Sequence, residues 1–128
     1  MSFPTSGEAS TYSDYFKGRR TASGDIYSHD EYTAALLPQS RWFALPMGTR
    51  LQLIYMGRTV VVKVNDRGAG KIVKGKADEG RVLDLSRAAM AYLKGMSTSS
   101  VTDANAGVIY LADIRIMPPG TAVGPVKP

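Results

Sequence analysis

The chain of 128 residues has no cysteine, one histidine (His29) and one tryptophan (Trp42). Without cysteine there are no disulfides, no zinc–thiolate sites and no cysteine nucleophile. A single histidine excludes a histidine-rich metal site, and any Ser-His-Asp triad would depend wholly on His29. No run approaches the roughly 18 apolar residues that cross a bilayer, so no transmembrane segment is expected. Met1 to Ser6 lack the basic-then-apolar pattern of a secretion signal, and none is expected there.

What is present suits one folded domain. The chain is 44% hydrophobic and 21% charged, which argues against disorder except at the ends. A net charge of +5 favours an acidic partner; nucleic acid, anionic lipid and bacterial wall polymer all qualify on charge alone. The lysines Lys71, Lys74 and Lys76 lie in a glycine-rich stretch from Gly70 to Gly80. It reads either as a solvated loop or as an arm for an anionic polymer. No aromatic residue is interleaved with them to stack bases, so no specific nucleic-acid partner is expected.

Short alternating or β-branched runs occur at 8–12, 49–55, 59–64, 81–85 and 108–117, separated by glycine and polar clusters. Met56-Gly57-Arg58 predicts a tight turn pairing 49–55 with 59–65, with Gly57 supplying a positive φ. A helix is expected from Ser86, a good N-cap, to about Lys94, with Gly95 as its stop. The fold class is therefore mainly β, a small closed barrel with one or two short helices. Residues 1–6 are expected as an N-terminal tail. The stretch 118–128, with four prolines, is expected as a Pro/Gly-rich tail or strap, not an element.

Two tempting motifs fail. Gly68-Ala69-Gly70-Lys71 resembles the end of a phosphate-binding loop, but Asn65 stands where the first glycine belongs and Ile72 where Ser or Thr belongs. Asp25, Asp30 and Glu31 do not have the spacing of a calcium loop. No cofactor is expected. His29 is expected as an exposed loop residue. Two carboxylates keep a double reading. Asp66, in Asn65-Asp66-Arg67-Gly68, either shapes a turn or offers a carboxylate at a strand end. Asp84 precedes the helix by two residues and could simply favour its dipole. Trp42 is a packing residue or a sugar-stacking platform.

Six segments in order carry a family resemblance: G-E-A-S-T-Y (7–12), F-K-G-R-R-T-A-S-G-D-I-Y (16–27), Y-T-A-A (32–35), L-P-M-G-T-R-L (45–51), G-R-T-V-V-V-K-V-N-D-R-G (57–68) and G-R-V-L-D-L-S-R-A-A (80–89). Together they resemble the rare lipoprotein A (RlpA) double-psi β-barrel domain, related to barwin and expansins, over residues 7–117. The resemblance implies a six-stranded double-psi β-barrel with a groove across one face and a periplasmic, cell-envelope or secreted setting. The implied partner is the glycan strand of peptidoglycan or a related wall polysaccharide. The implied activity is lytic transglycosylase cleavage of peptide-stripped glycan; the alternative is a non-catalytic expansin-like binding module. A monomer is expected.

Carried over by motif, Asp66 is the family's catalytic aspartate. Asp25 takes the place of a glutamate, about 1.5 Å shorter in reach. Asp84, Arg67, Asn65, Tyr12, Arg20 and Thr21, with Trp42, form the implied substrate-binding set. The chain departs from the family in three places. One is the longer connection L-P-Q-S-R-W-F-A (37–44), whose Arg41 and Trp42 could remodel the groove for a different polymer. Leu36 stands where active members have histidine after T-A-A, and a leucine cannot move a proton. Ala69-Gly70 replace the usual Pro-Phe after N-D-R-G.

Overall fold

The structure, a computed structural model, describes residues 5–37, 45–68, 72–73, 76–77 and 81–127. Arg41 and Trp42, and most of the lysine-rich stretch, lie outside the described residues.

Strands β1 (Gly7–Thr11), β2 (Thr33–Leu36), β3 (Arg50–Tyr55), β4 (Arg58–Arg67), β7 (Arg81–Leu85), β8 (Ile109–Leu111) and β9 (Asp113–Met117) form one sheet in the order β8-β1-β7-β2-β4-β3-β9. β8 pairs with β1 at one edge and β9 with β3 at the other. Only Ala112 separates β8 from β9, and its N–H donates to Ile54 O at 3.0 Å. These two strands are one bent run that closes the sheet on itself. Counted so, the barrel has the six strands expected, with parallel β1–β7 and β2–β4 pairs. It is the double-psi β-barrel. Short strands β5 (Ile72–Val73) and β6 (Lys76–Ala77) pair only with each other.

The core follows from alternation. Leu51 and Leu53 of β3 point inward, as do Val60, Val62 and Val64 of β4, and all five are fully buried. The β3–β4 hairpin turns on Met56 (φ 49°) and Gly57 (φ 81°). Two successive left-handed residues match the strand twist, and Met56 takes that conformation despite its side chain. The helix α1 (Arg87–Lys94) is capped by Ser86, whose Oγ accepts from Ala89 N, and ends at Gly95 with φ 72°. Its residues Ala89, Met90, Ala91 and Leu93 join the barrel core. No helix among the described residues is long and apolar enough to cross a membrane.

The C-terminal stretch departs from the expected tail. Gly124–Val126 form β10, which pairs antiparallel with Thr59–Val61 of β4. Pro125 is tolerated because β10 is an edge strand, where a missing N–H interrupts no ladder on its outer side.

Candidate functional site

One row of residues crosses four strands. Ser10 of β1 is in register with Asp84 of β7, Asp84 with Ala35 of β2, and Ala35 with Asp66 of β4. Strands lie about 4.8 Å apart, so the two aspartate backbones stand roughly 10 Å from each other across Ala35. The alanine methyl leaves the floor open between them. A groove of about 500 Å³ lies over this row, lined by both aspartates, Tyr12, Tyr15, Phe16, Arg19 and other residues. That volume is in the range of small-ligand sites.

A bulge puts Asp66 there. Residues two apart on a strand share a face, so Asp66 should follow Val62 and Val64 into the core. In the β2–β4 ladder Ala34 pairs with Val64 but Ala35 pairs with Asp66, leaving Asn65 as the extra residue. The slip rotates Asp66 out of the core and onto the face of Ala35.

Asp66 accepts three hydrogen bonds. The Tyr12 hydroxyl donates to Oδ2 at 2.7 Å, while the backbone N–H groups of Ala22 and Arg67 donate to Oδ1 at 2.8 and 2.9 Å. An ionised carboxylate uses all three donors. Oδ2 accepts only the Tyr12 hydroxyl among these donors, so its second lone pair can take a proton while Tyr12 remains a donor. Burial, and then the bond to Asp66, push the Tyr12 hydroxyl pKa well above the ordinary tyrosine range. Tyr12 therefore holds its proton and acts as a fixed donor.

Behind Tyr12 lies a second polar chain. Its ring stacks on Tyr27 at 4.1 Å between centroids. Tyr27 Oη contacts His29 Nδ1 at 2.7 Å, and His29 Nε2 meets Asp14 Oδ1 at 2.9 Å. Burial raises the Tyr27 pKa in turn, while the hydrogen bond from His29 holds the Asp14 carboxyl below the usual range. His29 is thus not the exposed loop residue expected: its side chain is 13% accessible and bonded at both nitrogens. The local reason is Arg87, whose buried guanidinium donates to Tyr12 O and Val101 O and pairs with Asp103 and Asp14. These contacts draw the 14–29 segment onto the start of α1.

The remaining sequence candidates divide. Asp84 faces the groove, accepting from Ser10 Oγ and pairing with Arg81. Arg67 and Arg20 line the same groove; one terminal nitrogen of each also donates to a backbone carbonyl, of Leu45 and Gly24 respectively. Thr21 is buried, and its hydroxyl donates to Asp25 O, closing the turn that presents Ala22 N–H to Asp66. Asn65 is buried too, with Nδ2 at 3.4 Å from Asp25 Oδ2. Asp25 is paired with Lys63 at 3.2 Å and is absent from the lining of the groove around Asp66. Hydrogen bonds from Lys63 and then Asn65 hold its carboxyl below the usual carboxylate range. Trp42 lies outside the described residues. Leu36 is fully buried in the core cluster, so its side chain is turned away from the groove. Among the described residues no group of three His, Cys, Asp or Glu could hold a metal ion.

Sequence reading missed Ser10, Arg81 and Ala35, whose places follow from strand register. It also missed the Tyr27–His29–Asp14 chain, which joins residues that show no spacing pattern. Of the aromatic pair Tyr15–Phe16, only Phe16 falls in one of the six segments, as the first residue of F-K-G-R-R.

Comparison with known proteins agrees with this fold. A family model described as lytic transglycolase matches residues 5–111. An endolytic peptidoglycan transglycosylase RlpA from Pasteurella multocida is 46% identical over 85 residues, covering 65% of this chain and 24% of that protein. The protein of the same name from Yersinia pestis is 33% identical over 127 residues, covering 98% of this chain and 29% of its own length. The chain thus spans less than a third of either relative. Among solved structures, an expansin from Clavibacter michiganensis superposes with a TM-score of 0.57 at 27% identity, covering 89% of this chain and 50% of that one.

Proposed function

Because the chain belongs to the lytic transglycolase family of double-psi β-barrels, we propose that its groove binds the glycan strand of bacterial peptidoglycan and cleaves it at Asp66, in the cell envelope or outside the cell. The observation that carries this reading is the register that sets Asp66 and Asp84 on one groove floor on either side of Ala35.

In the reaction, the carboxyl of Asp66 protonates the glycosidic oxygen as the bond to the muramic acid C1 breaks. The same group, now a carboxylate, takes the proton from the C6 hydroxyl as that oxygen closes onto C1. No water is consumed, and the product ends in a 1,6-anhydro sugar. The sugar passes through an oxocarbenium-like state, which the negative charge of Asp84 across the groove stabilises. Tyr12 keeps the Asp66 carboxyl oriented, as a donor that does not itself lose its proton.

A second reading is a binding module that does not cut. Leu36 favours it, because the position of the family's histidine holds an apolar side chain inside the core. Asp66 then works without a second proton carrier at that place. Sedimentation with purified peptidoglycan tests what both readings share. Binding that survives raised salt supports groove contacts, since exposed charges are screened within about 8 Å at physiological ionic strength. Binding no better than that of an unrelated basic protein would contradict both.

A further inference from the structure

The groove carries more positive than negative charge. Arg19, Arg20, Arg67 and Arg81 line it against two carboxylates, Asp66 and Asp84. A site built only for a neutral sugar polymer has no use for that excess. Arg81 is engaged by Ser10 and Asp84, and Arg67 by Leu45 O. Arg19 and Arg20 are differently placed. Arg19 anchors itself through Nε to Tyr15 O at 2.8 Å, and its guanidinium carbon lies over the Tyr15 ring at 3.8 Å from the centroid. Both contacts hold the fork in place while using neither terminal amino group. Arg20 is held through one terminal nitrogen, on Gly24 O at 3.1 Å. Both side chains belong to exposed residues on the rim of the groove.

We propose that Arg19 and Arg20 form a carboxylate-reading subsite beside Asp66, which selects sugar polymers bearing free carboxyl groups over neutral ones. The inference rests on the glycan-binding reading above and names its specificity. A planar guanidinium with its orientation already set loses little freedom on pairing with a carboxylate and matches it in shape. The flanking rings of Tyr15 and Phe16, which meet edge to face at 5.1 Å, offer an apolar surface for the sugar ring that carries the acid. In peptidoglycan, free carboxyl groups appear on the lactyl side chains once the stem peptides have been removed. Polyuronates carry the same chemistry on the ring itself.

The test is equilibrium binding of four probes: peptide-stripped glycan strands, the same strands with carboxyls converted to amides, a polyuronate, and neutral chitohexaose. The protein binds the free-acid strands roughly tenfold tighter than the amidated ones, the ratio expected for a charge-assisted pair. Arg19→Gln/Arg20→Gln collapses that ratio. Arg115→Gln/Lys127→Gln, with the same charge change on exposed residues outside the groove lining, preserves it. The single variant Arg19→Gln lowers the ratio with the Arg20–Gly24 contact left in place. Tighter binding of stripped glycan than of polyuronate identifies the lactyl acid as the carboxylate source, and the reverse identifies the uronic acid. Equal binding of free and amidated strands overturns the inference while leaving glycan binding intact. So does a ratio that survives in the groove variant, or one lost equally in the control variant. Binding to none of the probes removes the glycan reading as well.

Discussion

The hydroxyl of Tyr12 donates to Oδ2 of Asp66 at 2.7 Å, from a ring clamped against Tyr27. This contact joins the end of β1 to the far end of β4, 54 residues apart. It fixes one carboxyl oxygen, while two backbone N–H groups hold the other. Replacing Tyr12 by phenylalanine keeps the ring and removes only the donor. The fold should survive with a loss of about 1.5 kcal/mol, the usual worth of a hydrogen bond to a charged group. Urea unfolding measures the loss, and the pH profile of glycan cleavage should change on its alkaline limb, because the mechanism needs a protonated Asp66. An unchanged profile would mean that Tyr12 only packs.

Tyr12 and Tyr27 should resist ionisation. Their folded pKa values lie above the ordinary tyrosine value of about 10, chiefly through burial. A raised folded pKa means that the stabilisation is fully present below about pH 10 and is lost as pH climbs towards the folded value, because the unfolded chain ionises first. Tyrosinate absorbance should therefore plateau short of all seven tyrosines until the protein unfolds. Smooth titration of all seven in the folded state would contradict the burial of this pair.

Arg87 anchors the polar chain behind the groove. Its side chain is 3% accessible and reaches Tyr12 O, Val101 O and Asp103. Arg87→Met leaves two buried carbonyls without their donor and should cost about 3 kcal/mol, as expected for one partner removed from a buried ionic network. Denaturant unfolding reads this directly. A loss under about 1 kcal/mol would place Arg87 among exposed ion pairs.

Much of the fold was legible because its signals are local. Alternation in β3, the valines of β4, Ser86 as cap and Gly95 as stop each work over a few residues. The direction of Asp66 was not legible. Alternation alone sends it into the core with Val64, and only the pairing of Ala35 with Asp66 reveals the bulge at Asn65. Asp84 could be read as a helix-dipole partner because its neighbours Ser10 and Ala35 come from distant strands. The prolines after Pro118 hid β10 for another reason: proline argues against central strands and does not forbid an edge. His29 was misjudged because its partners Tyr27 and Asp14 are themselves held by Arg87, and no local pattern announces those contacts.

The most direct measurement of the central claim is mass spectrometry of peptide-stripped glycan strands incubated with the protein and with Asp66→Asn. The wild-type chain should release fragments ending in 1,6-anhydromuramic acid. The variant should lower that yield by about a hundredfold or more, the usual scale for losing a general acid–base group. Equal yields from both proteins, or none from the wild type, would contradict cleavage at Asp66.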